Sequence, residues 1–521
     1  MVRAFVSKVP TASGGTAVRV LWKQGRRQVG MEYVGSAHAQ AEIDLLVKAA
    51  WDVVHANQDP LLGETGTPGG EVVPAVPARA VVTGTESAVL WGVLTRVWAQ
   101  LGFDAAVPDR AFKALALARV IEPTSKLDSA RVLAEVGQWA PTNATIYRCL
   151  ARCQDRGYRD RLAGACWERA KPHATLLMYD VTTLYFETDT PDEFRIPGYS
   201  KERRLEPQIV VGVLVDQGGL PLGLAAFEGN LGETLTITPV VTQFARLRGL
   251  DTFTVVADAG MLSQNNLREL QDAGFDFIVG SRIAAVPWAV GEFEREHPDE
   301  PVADRQVFVE PVVMGAKKTG ARQYAVVYQY RAKRAARDLK TIDAQVAKAE
   351  AAVAGTRKKK NPRFVTVVGK DKLAVDRDLV ASARARAGYK GYVTSLPVAG
   401  CPGRPVPEGV APVDPLTVID SYHQLFEVER SFRMSKTDLR ARPVFSHVRD
   451  SIEAHLTMVM AALAVSRTIQ DRTGLSIRRV TRALKPLRAA HVSIGQRSIT
   501  IPPAINTDTQ AIIDDATHDP V

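Results

Sequence analysis

Two aspartates close apolar runs that predict β-strands. Asp180 ends the run TLLMYD, and Asp258 ends the run VVAD. Aspartate is poor in strands, so packing does not require an acid at either place. Acids at the ends of two core strands can meet at one sheet edge, and carboxylates together with substrate phosphates bind Mg²⁺. Taken singly, each aspartate is better explained as a turn residue or a helix cap.

A third acid comes from a predicted helix near the C-terminal end, where Glu427 and Glu429 lie on nearly opposite faces at about 100° per residue. Tyr422, Glu429 and Lys436 are spaced seven apart and share one face, and Arg433 follows Glu429 by four. The carboxylate would bind metal while the cations hold phosphate. An ordinary surface Glu–Arg pair is the alternative, and it is the commoner arrangement.

Composition bounds the class of protein. A chain of 521 residues with 46% hydrophobic and 24% charged residues predicts a folded protein of two to four domains. The net charge of +9 moderately favours a polyanionic partner. The sequence contains no GxxxxGK[ST] loop, which argues against an ATP-driven enzyme.

Cysteine usage and hydropathy predict a soluble cytoplasmic protein. Cys149 and Cys153 lack the second pair that a zinc site needs, and scattered thiols fit a reducing compartment. The N-terminus has no apolar signal core. The longest apolar stretch, Leu456 to Val465, is short for a membrane span and is predicted to lie on an amphipathic helix.

The elements that must position these residues divide the chain into segments. Residues 1–58 predict a β-hairpin and a helix, and the Pro- and Gly-rich residues 59–86 predict a linker. Residues 87–172 are helical and suit either a helix-turn-helix-like DNA-binding domain, with Lys126 and Arg148 exposed, or a plain helical bundle.

From residue 173 the pattern becomes β-rich. Residues 173–285 predict three strands in a meander and then alternating strand and helix, the order of an RNase H-like core. Residues 286–390 predict an inserted α+β subdomain, and residues 391–473 return to the core with one helix from Pro415 to Arg440. Residues 474–521 form a tail that begins basic and ends acidic.

Five segments together resemble a known family: YDVTTLYFE, GYSKERRLEPQIVVGVLVD, FEGN, VVADAGM and SYHQLFEVERSFRMSKTDLRARPVF. They look like the DDE transposases of bacterial insertion sequences, and most closely the IS-four-like superfamily. The resemblance runs from about Ala174 to Thr473. The family's signature has Tyr, Arg, Glu and Lys at fixed spacing; Tyr422, Glu429 and Lys436 match, whereas Leu425 stands at the Arg position. The absence of that arginine puts one interaction with phosphate or with the DNA end in doubt, and leaves the metal site intact.

The resemblance implies an α/β fold with an RNase H-like catalytic core, interrupted by an inserted subdomain and preceded by a helical DNA-binding region. It implies that Asp180, Asp258 and Glu429 hold two divalent cations, Mg²⁺ or Mn²⁺. The same site would hydrolyse a phosphodiester at the element's end and then join the freed 3′-hydroxyl to target DNA.

Further residues are expected to contact DNA. Tyr422, Arg433 and Lys436 would position the phosphate near the cut. A basic loop would contact the backbone, or would simply be solvated; its cations are Lys201, Arg203 and Arg204. Trp288 would stack on a flipped base at the transposon end.

The partners implied are double-stranded DNA, as transposon ends and as target, and a second copy of the chain in a synaptic homodimer. No membrane is expected, and the setting would be a bacterial cytoplasm, with the protein on the nucleoid when bound to DNA. Two alternatives stay open: a catalytically silent or domesticated DNA-binding protein, and another RNase H-like nuclease.

Overall fold

The computed structural model describes residues 2–11, 14–25, 27–56, 80–188, 190–198, 206–261, 263–315, 320–356, 363–368, 372–442, 444, 448–494 and 497–519. The chain forms two compact units. The first comprises Met1–Trp91, Glu135–Gly137 and Ala483–Thr509, and the second comprises Gly92–Ala134, Gln138–Arg482 and Gln510–Val521.

The strands are β1 (Val2–Pro10), β2 (Thr16–Gln24), β3 (Arg27–Ala37), β4 (Ala80–Glu86), β5 (Leu176–Tyr185), β6 (Gln208–Val215), β7 (Pro221–Glu228), β8 (Thr254–Ala257), β9 (Asp276–Ser281), β10 (Val307–Met314), β11 (Arg322–Tyr330), β12 (Val365–Val368), β13 (Lys372–Val375), β14 (Tyr389–Thr394), β15 (Ala489–Ile494) and β16 (Arg497–Ile501). The α-helices are α1 (Gln40–Ala56), α2 (Ala88–Gln100), α3 (Phe103–Ala106), α4 (Arg110–Ile121), α5 (Ser129–Glu135), α6 (Asn143–Asp155), α7 (Tyr158–Ala170), α8 (Ile237–Arg248), α9 (Gln264–Asp272), α10 (Trp288–Glu296), α11 (Ala332–Val353), α12 (Arg377–Ala385), α13 (Pro415–His423), α14 (Phe426–Arg433), α15 (Arg449–Thr473), α16 (Ile477–Leu484) and α17 (Thr507–Thr517).

The first unit contains two three-stranded antiparallel sheets. In one, β1, β2 and β3 lie in chain order and α1 packs against them through buried Val18, Val20 and Ile43. This sheet contains the predicted hairpin, and β1 is an added strand. In the other, the order is β16-β15-β4. Part of the predicted linker is therefore wrong, because residues 80–86 form β4 and pair with β15; residues 57–79 lie outside the described residues.

The second unit is built on an eight-stranded mixed sheet in the order β10-β11-β14-β9-β8-β5-β6-β7. Strands β5, β6 and β7 form the predicted antiparallel meander. Strand β8 then pairs in parallel with β5, and β9 pairs in parallel with β8. Every residue of β6, QIVVGVLV, is buried, as expected for a strand covered on both faces.

The predicted insertion is only partly separate from this sheet. Strand β14 pairs antiparallel with β9, β11 with β14, and β10 with β11, so the insertion's longer strands extend the core sheet. Helices α11 and α12 have a small core of their own around Phe364, Ile342 and Val380. The strands β10 and β11 thus belong to the core sheet. Within residues 286–390, an independent subdomain stays a prediction for the α11–α12 region alone.

Helix α15 is the central helix of the second unit. It is buried without interruption from Ala454 to Arg467, so the predicted amphipathic character is wrong. By length and composition the helix is apolar enough to cross a membrane, but 89% of its apolar window is buried inside the protein. A helix that is apolar all round is a core helix when other elements cover it, and α4, α6 and α7 pack against this one.

Candidate active site

Asp180 and Asp258 lie side by side on adjacent parallel strands. Tyr179 pairs with Ala257 between β5 and β8, and each aspartate is the next residue in the chain. Asp258 ends its strand as predicted. Asp180 does not, because β5 continues to Tyr185 in its pairing with β6. The parallel pairing with β8 nevertheless ends at Tyr179, so each aspartate directly follows the last residue pair of that ladder.

Tyr422 fixes one oxygen of Asp258. Its hydroxyl donates to Asp258 Oδ1 at 2.8 Å, and the Ala259 amide donates to the same oxygen at 2.7 Å. Burial and the neighbouring Asp258 carboxylate raise the pKa of Tyr422, so the hydroxyl keeps its proton. A Cβ at Gly280 would lie 2.7 Å from that hydroxyl, so a glycine is needed there. In this structure the Tyr422 hydroxyl therefore binds the Asp258 carboxylate, whereas the sequence predicted that Tyr422 contacts a DNA phosphate.

Glu429 shares a cleft with Asp180. The cleft has a volume of about 370 Å³, and Arg433 and Lys436 also line it. Glu429, Arg433 and Lys436, three of the four residues that the sequence places on or near one helical face, therefore line the same cleft as Asp180. Glu429 is exposed. With Glu233 and Arg442, which also line it, the cleft is surrounded by three carboxylates and three cations.

Glu427 has a different environment. Its Oε2 atom lies 2.6 Å from Nη2 of Arg467, whose side chain is 1% exposed. Arg467 is held further by Asp471 at 3.3 Å. The buried guanidinium thus engages Glu427, while Glu429 lines the cleft.

The helix that carries these acids is not continuous from Pro415 to Arg440 as predicted. Between α13 and α14 the Leu425 amide bonds to the Tyr422 carbonyl, three residues back, which tightens the turn. After α14 a π-helical turn, Met434–Asp438, carries Lys436 and closes with a bond from the Leu439 amide to the Met434 carbonyl. Such wide turns are often found at functional sites.

Leu425, at the family's Arg position, is 5% exposed and belongs to the main hydrophobic core. An arginine in its place would carry a charge into apolar surroundings at a high desolvation cost.

Sequence reasoning missed three polar residues at the site. Glu233, on a short 3₁₀ helix, lines the cleft, and its Oε2 lies 3.2 Å from where a Cβ on Gly260 would stand. Arg442 lines the cleft and lies over the Tyr185 ring, 5.5 Å from its centroid. Lys390 lies 4.3 Å from the Tyr422 ring centroid. Glu233 follows the FEGN segment closely, which was a usable signal; no spacing points to the other two.

The remaining predicted DNA contacts are dispersed. Lys126 lines a second cavity of about 490 Å³, and Arg442 lines both this cavity and the cleft. Arg148 is exposed on α6, with its Nη2 3.4 Å from the Thr145 hydroxyl. Trp288 begins α10, is 56% exposed and does not line the cleft. The basic-loop residues Lys201, Arg203 and Arg204 lie outside the described residues.

The donor chemistry fits a divalent cation. Asp180, Asp258 and Glu429 offer carboxylate oxygens, the ligands that Mg²⁺ prefers. Among the described residues, no group of three His, Cys, Asp or Glu side chains is close enough to hold one ion. Mg²⁺ is typically held by one or two carboxylates, with waters and substrate phosphates completing its shell, so the side-by-side aspartates and the cleft are compatible with it.

Comparison with known proteins identifies the segment that carries both aspartates. Residues 171–333 match the family model described as transposase DDE domain. The chain carries a transposase DDE domain. The match includes Asp180 and Asp258 and ends before Glu429.

Solved structures give weaker similarities. A piggyBac transposase synaptic complex with hairpin DNA aligns at a TM-score of 0.33 and 10% identity, over 77% of this chain and 70% of that chain. A Mos1 transposase paired-end complex with the left transposon end aligns at a TM-score of 0.15 and 15% identity, over 45% of this chain and 66% of that chain. No curated protein matches the chain.

Proposed function

We propose that this transposase binds the ends of an insertion sequence, cuts them, and joins them to target DNA, with Asp180, Asp258 and Glu429 as its catalytic residues. A DDE transposase domain implies cleavage and transfer of DNA phosphodiester bonds. The observation that carries the assignment is the adjacency of Asp180 and Asp258 on parallel strands, together with the cleft that Asp180 shares with Glu429.

The topology supports an RNase H-like core. The part of the sheet ordered β7-β6-β5-β8-β9 has three antiparallel strands followed by two parallel strands, with α8 and α9 in the connections. That is the meander and alternation expected of such a core, and both aspartates belong to its central strands.

The three carboxylates would hold two divalent cations, Mg²⁺ or Mn²⁺. Bound ions would lower the pKa of the attacking water or 3′-hydroxyl and stabilise the leaving oxygen of an in-line displacement. Tyr422 keeps Asp258 in one orientation, and Tyr422 stays protonated because its pKa is raised. Glu233 lines the same cleft as Asp180 and Glu429 and adds a further carboxylate there.

The cations of the cleft would hold the reacting phosphate. In the first step, water attacks the phosphorus and the 3′-oxygen leaves as a hydroxyl; in the second, that hydroxyl attacks a phosphodiester of target DNA and displaces its 3′-oxygen. Neither step requires a covalent bond to the enzyme. Lys436 and Arg433 line the cleft and are suited to neutralise the phosphate oxygens during both steps.

DNA would extend from the cleft along the second cavity. Arg442 lines both spaces, and the second cavity also presents Lys126, Arg440 and exposed Tyr147. Trp288 would stack on an unpaired base and Arg148 would contact the backbone, while Lys201, Arg203 and Arg204 would add further backbone contacts. The assembly would be a homodimer acting on transposon ends and target in a bacterial cytoplasm.

Strand cleavage of a supercoiled plasmid that carries the element's own ends tests the proposal. Asp180→Asn and Glu429→Gln should lower nicking by on the order of 10³-fold or more without loss of DNA binding, and wild-type nicking should stop in EDTA. Glu427→Gln is the matched control: it should leave nicking by the folded protein intact while costing roughly 2–4 kcal/mol of stability, because Arg467 keeps its buried charge.

Each other result has a definite meaning. Wild-type protein that binds the ends and never cuts them would favour a catalytically silent DNA-binding protein. Cutting that ignores the element's ends would favour another RNase H-like nuclease. Persistent cutting by both carboxylate variants would show that the catalytic residues are wrongly assigned.

A further inference from the structure

A third cavity of the second unit, distinct from the one around Lys126, lies beside the candidate active site and was not predicted from the sequence. Its volume is about 390 Å³, and five cations line it. These cations are Arg331, Lys333, Arg334, Arg337 and Lys390. We name it the basic pocket. The first two turns of α11 and the start of β14 supply the charges, and none of the described residues that line it is an acid.

The charge of the basic pocket is poorly compensated. Arg331 lies 3.8 Å from Asp304. Within the described part of the chain, the side chains of Lys333, Arg334 and Arg337 form no ion pair. Burial and, after it, repulsion from Arg334 lower the pKa of Lys390, while the carboxylates of Asp258 and Glu429 oppose that shift. A bound anion would relieve this repulsion.

The basic pocket is separated from Asp258 by a single aromatic ring. The Lys390 ammonium lies over the Tyr422 ring, and the hydroxyl of that ring donates to Asp258. The two are joined through the sheet as well, because β14 pairs directly with β9, the neighbour of β8. An anion in the pocket therefore lies close to the residues that would cut DNA.

The chemistry of the lining favours phosphate over a nucleobase. Tyr392 is 1% exposed, and its ring lies 4.8 Å from the Tyr422 ring and 5.4 Å from the Lys390 ammonium. It offers no open face for stacking. Flexible lysines and forked guanidinium groups are instead the usual ligands of backbone phosphates.

We propose that the basic pocket binds backbone phosphates of the DNA being processed and holds the duplex in register with Asp258. The identity of the ligand as DNA rests on the proposed function. The phosphates come either from the element's end or from target DNA, and the two sources share the same chemistry.

Equilibrium binding in EDTA tests the pocket without requiring catalysis. Fluorescence anisotropy would measure the affinity for a duplex bearing the element's end and for a duplex of unrelated sequence over a series of salt concentrations. The double variant Arg334→Gln/Arg337→Gln should flatten the plot of log K against log salt by about 2, one for each phosphate that the protein no longer neutralises. Lys340→Gln/Lys348→Gln is the matched control, because it removes the same charge from exposed positions of α11 outside the pocket.

Stability provides a second readout. Since the cations of the basic pocket repel one another, the Arg334→Gln/Arg337→Gln variant should unfold at the same temperature as wild type or higher. In the binding experiment, Arg334→Lys/Arg337→Lys should restore most of the salt dependence, because lysine keeps the positive charge.

A flatter slope for the Gln variant on the element's end alone assigns the pocket to that DNA, and a flatter slope on both duplexes assigns it to the DNA backbone generally. An unchanged slope on both duplexes, or an equal decrease in the Lys340/Lys348 control, overturns the proposal.

The two proposals fail separately. Wild-type protein that cuts DNA normally while its Arg334/Arg337 variant keeps the full salt slope would remove the pocket and leave the catalytic assignment. Wild-type protein that never cuts, but whose variant has the flatter slope, would remove the catalytic assignment and leave a phosphate-binding pocket.

Discussion

The helices α4–α7 and the basic pocket both present many cations, but several cations of the helices form short ion pairs, whereas among the described residues of the pocket Arg331 alone has an acid within 4 Å, Asp304. In the helices, Nη2 of Arg152 lies 2.6 Å from the buried Asp109 carboxylate, and Arg131 bridges Glu122 and Asp128. In the basic pocket no acid is found among the described lining residues. A count of Lys and Arg therefore overstates the capacity of the helices for DNA, because a paired cation has little to offer a phosphate.

Arg119 extends this contrast into the interior. It is buried on α4 and donates from Nη1 to the Leu439 carbonyl at 2.9 Å, at the end of the helical segment that carries Lys436. Burial lowers the pKa of Arg119 to about 10. Arg119 therefore stabilises the end of the helical segment that carries Lys436, and its charge has a structural role.

The largest expected effect that would sharpen the comparison is on stability. Asp109→Asn should cost roughly 2–4 kcal/mol, because Arg152 then faces a neutral amide although Asn can still cap α4. Urea unfolding measures the decrease. DNA binding by the folded variant should keep the wild-type salt slope; a steeper slope would mean that Arg152, once released from Asp109, binds a phosphate.

A pH titration separates the same pair from the rest of the protein. Burial alone would raise the pKa of Asp109, but hydrogen bonds from Arg152, the Phe112 amide and Tyr158 lower it. Since the folded pKa lies below the unfolded value of about 3.9, the contribution is present above that pH and is lost as pH falls through the folded pKa. The stability difference between wild type and Asp109→Asn, followed by urea unfolding, should therefore shrink on acidification below about pH 4. A constant difference would exclude this carboxylate as its source.

The smallest expected effect belongs to the exposed network. Arg131→Gln should cost only about 0.2–1 kcal/mol, because Arg131, Glu122 and Asp128 are all well exposed and solvent screens their attraction. Its DNA salt slope, measured by anisotropy, should match wild type. If the slope instead becomes flatter by about 1, the change expected for one phosphate contact, Arg131 binds phosphate despite its surface ion pairs. The contrast between the helices and the basic pocket would then be wrong.

Sequence reasoning succeeded where the signal is local. The apolar runs before Asp180 and Asp258 predicted β5 and β8, because a buried strand needs a short continuous apolar segment. Helical spacing favoured Glu429 over Glu427; Arg467, forty residues later, engages Glu427, and the catalytic role of Glu429 stays a prediction. The meander and the alternation that follows it were also legible from strand and turn chemistry.

It failed where pairing is distant or has no local signature. Nothing in the segment Val307–Tyr330 shows that its strands join the core sheet through β14, since that register depends on residues far away in the chain. Lys390 reaches the site by the same pairing. The π-helical turn around Lys436 differs from an α-helix by one hydrogen-bond register, and composition does not encode that difference.

The order of the large sheet also bears on how copies of the protein avoid aggregating. Its outermost strands are β10 and β7, and an exposed strand edge can template pairing with another chain. Pro311 lies within β10 and Pro221 begins β7, so each edge lacks a backbone N–H donor at one position. A proline at each edge removes one donor that a neighbouring strand could use, which disfavours the pairing of two copies of the protein into a continuous β-sheet.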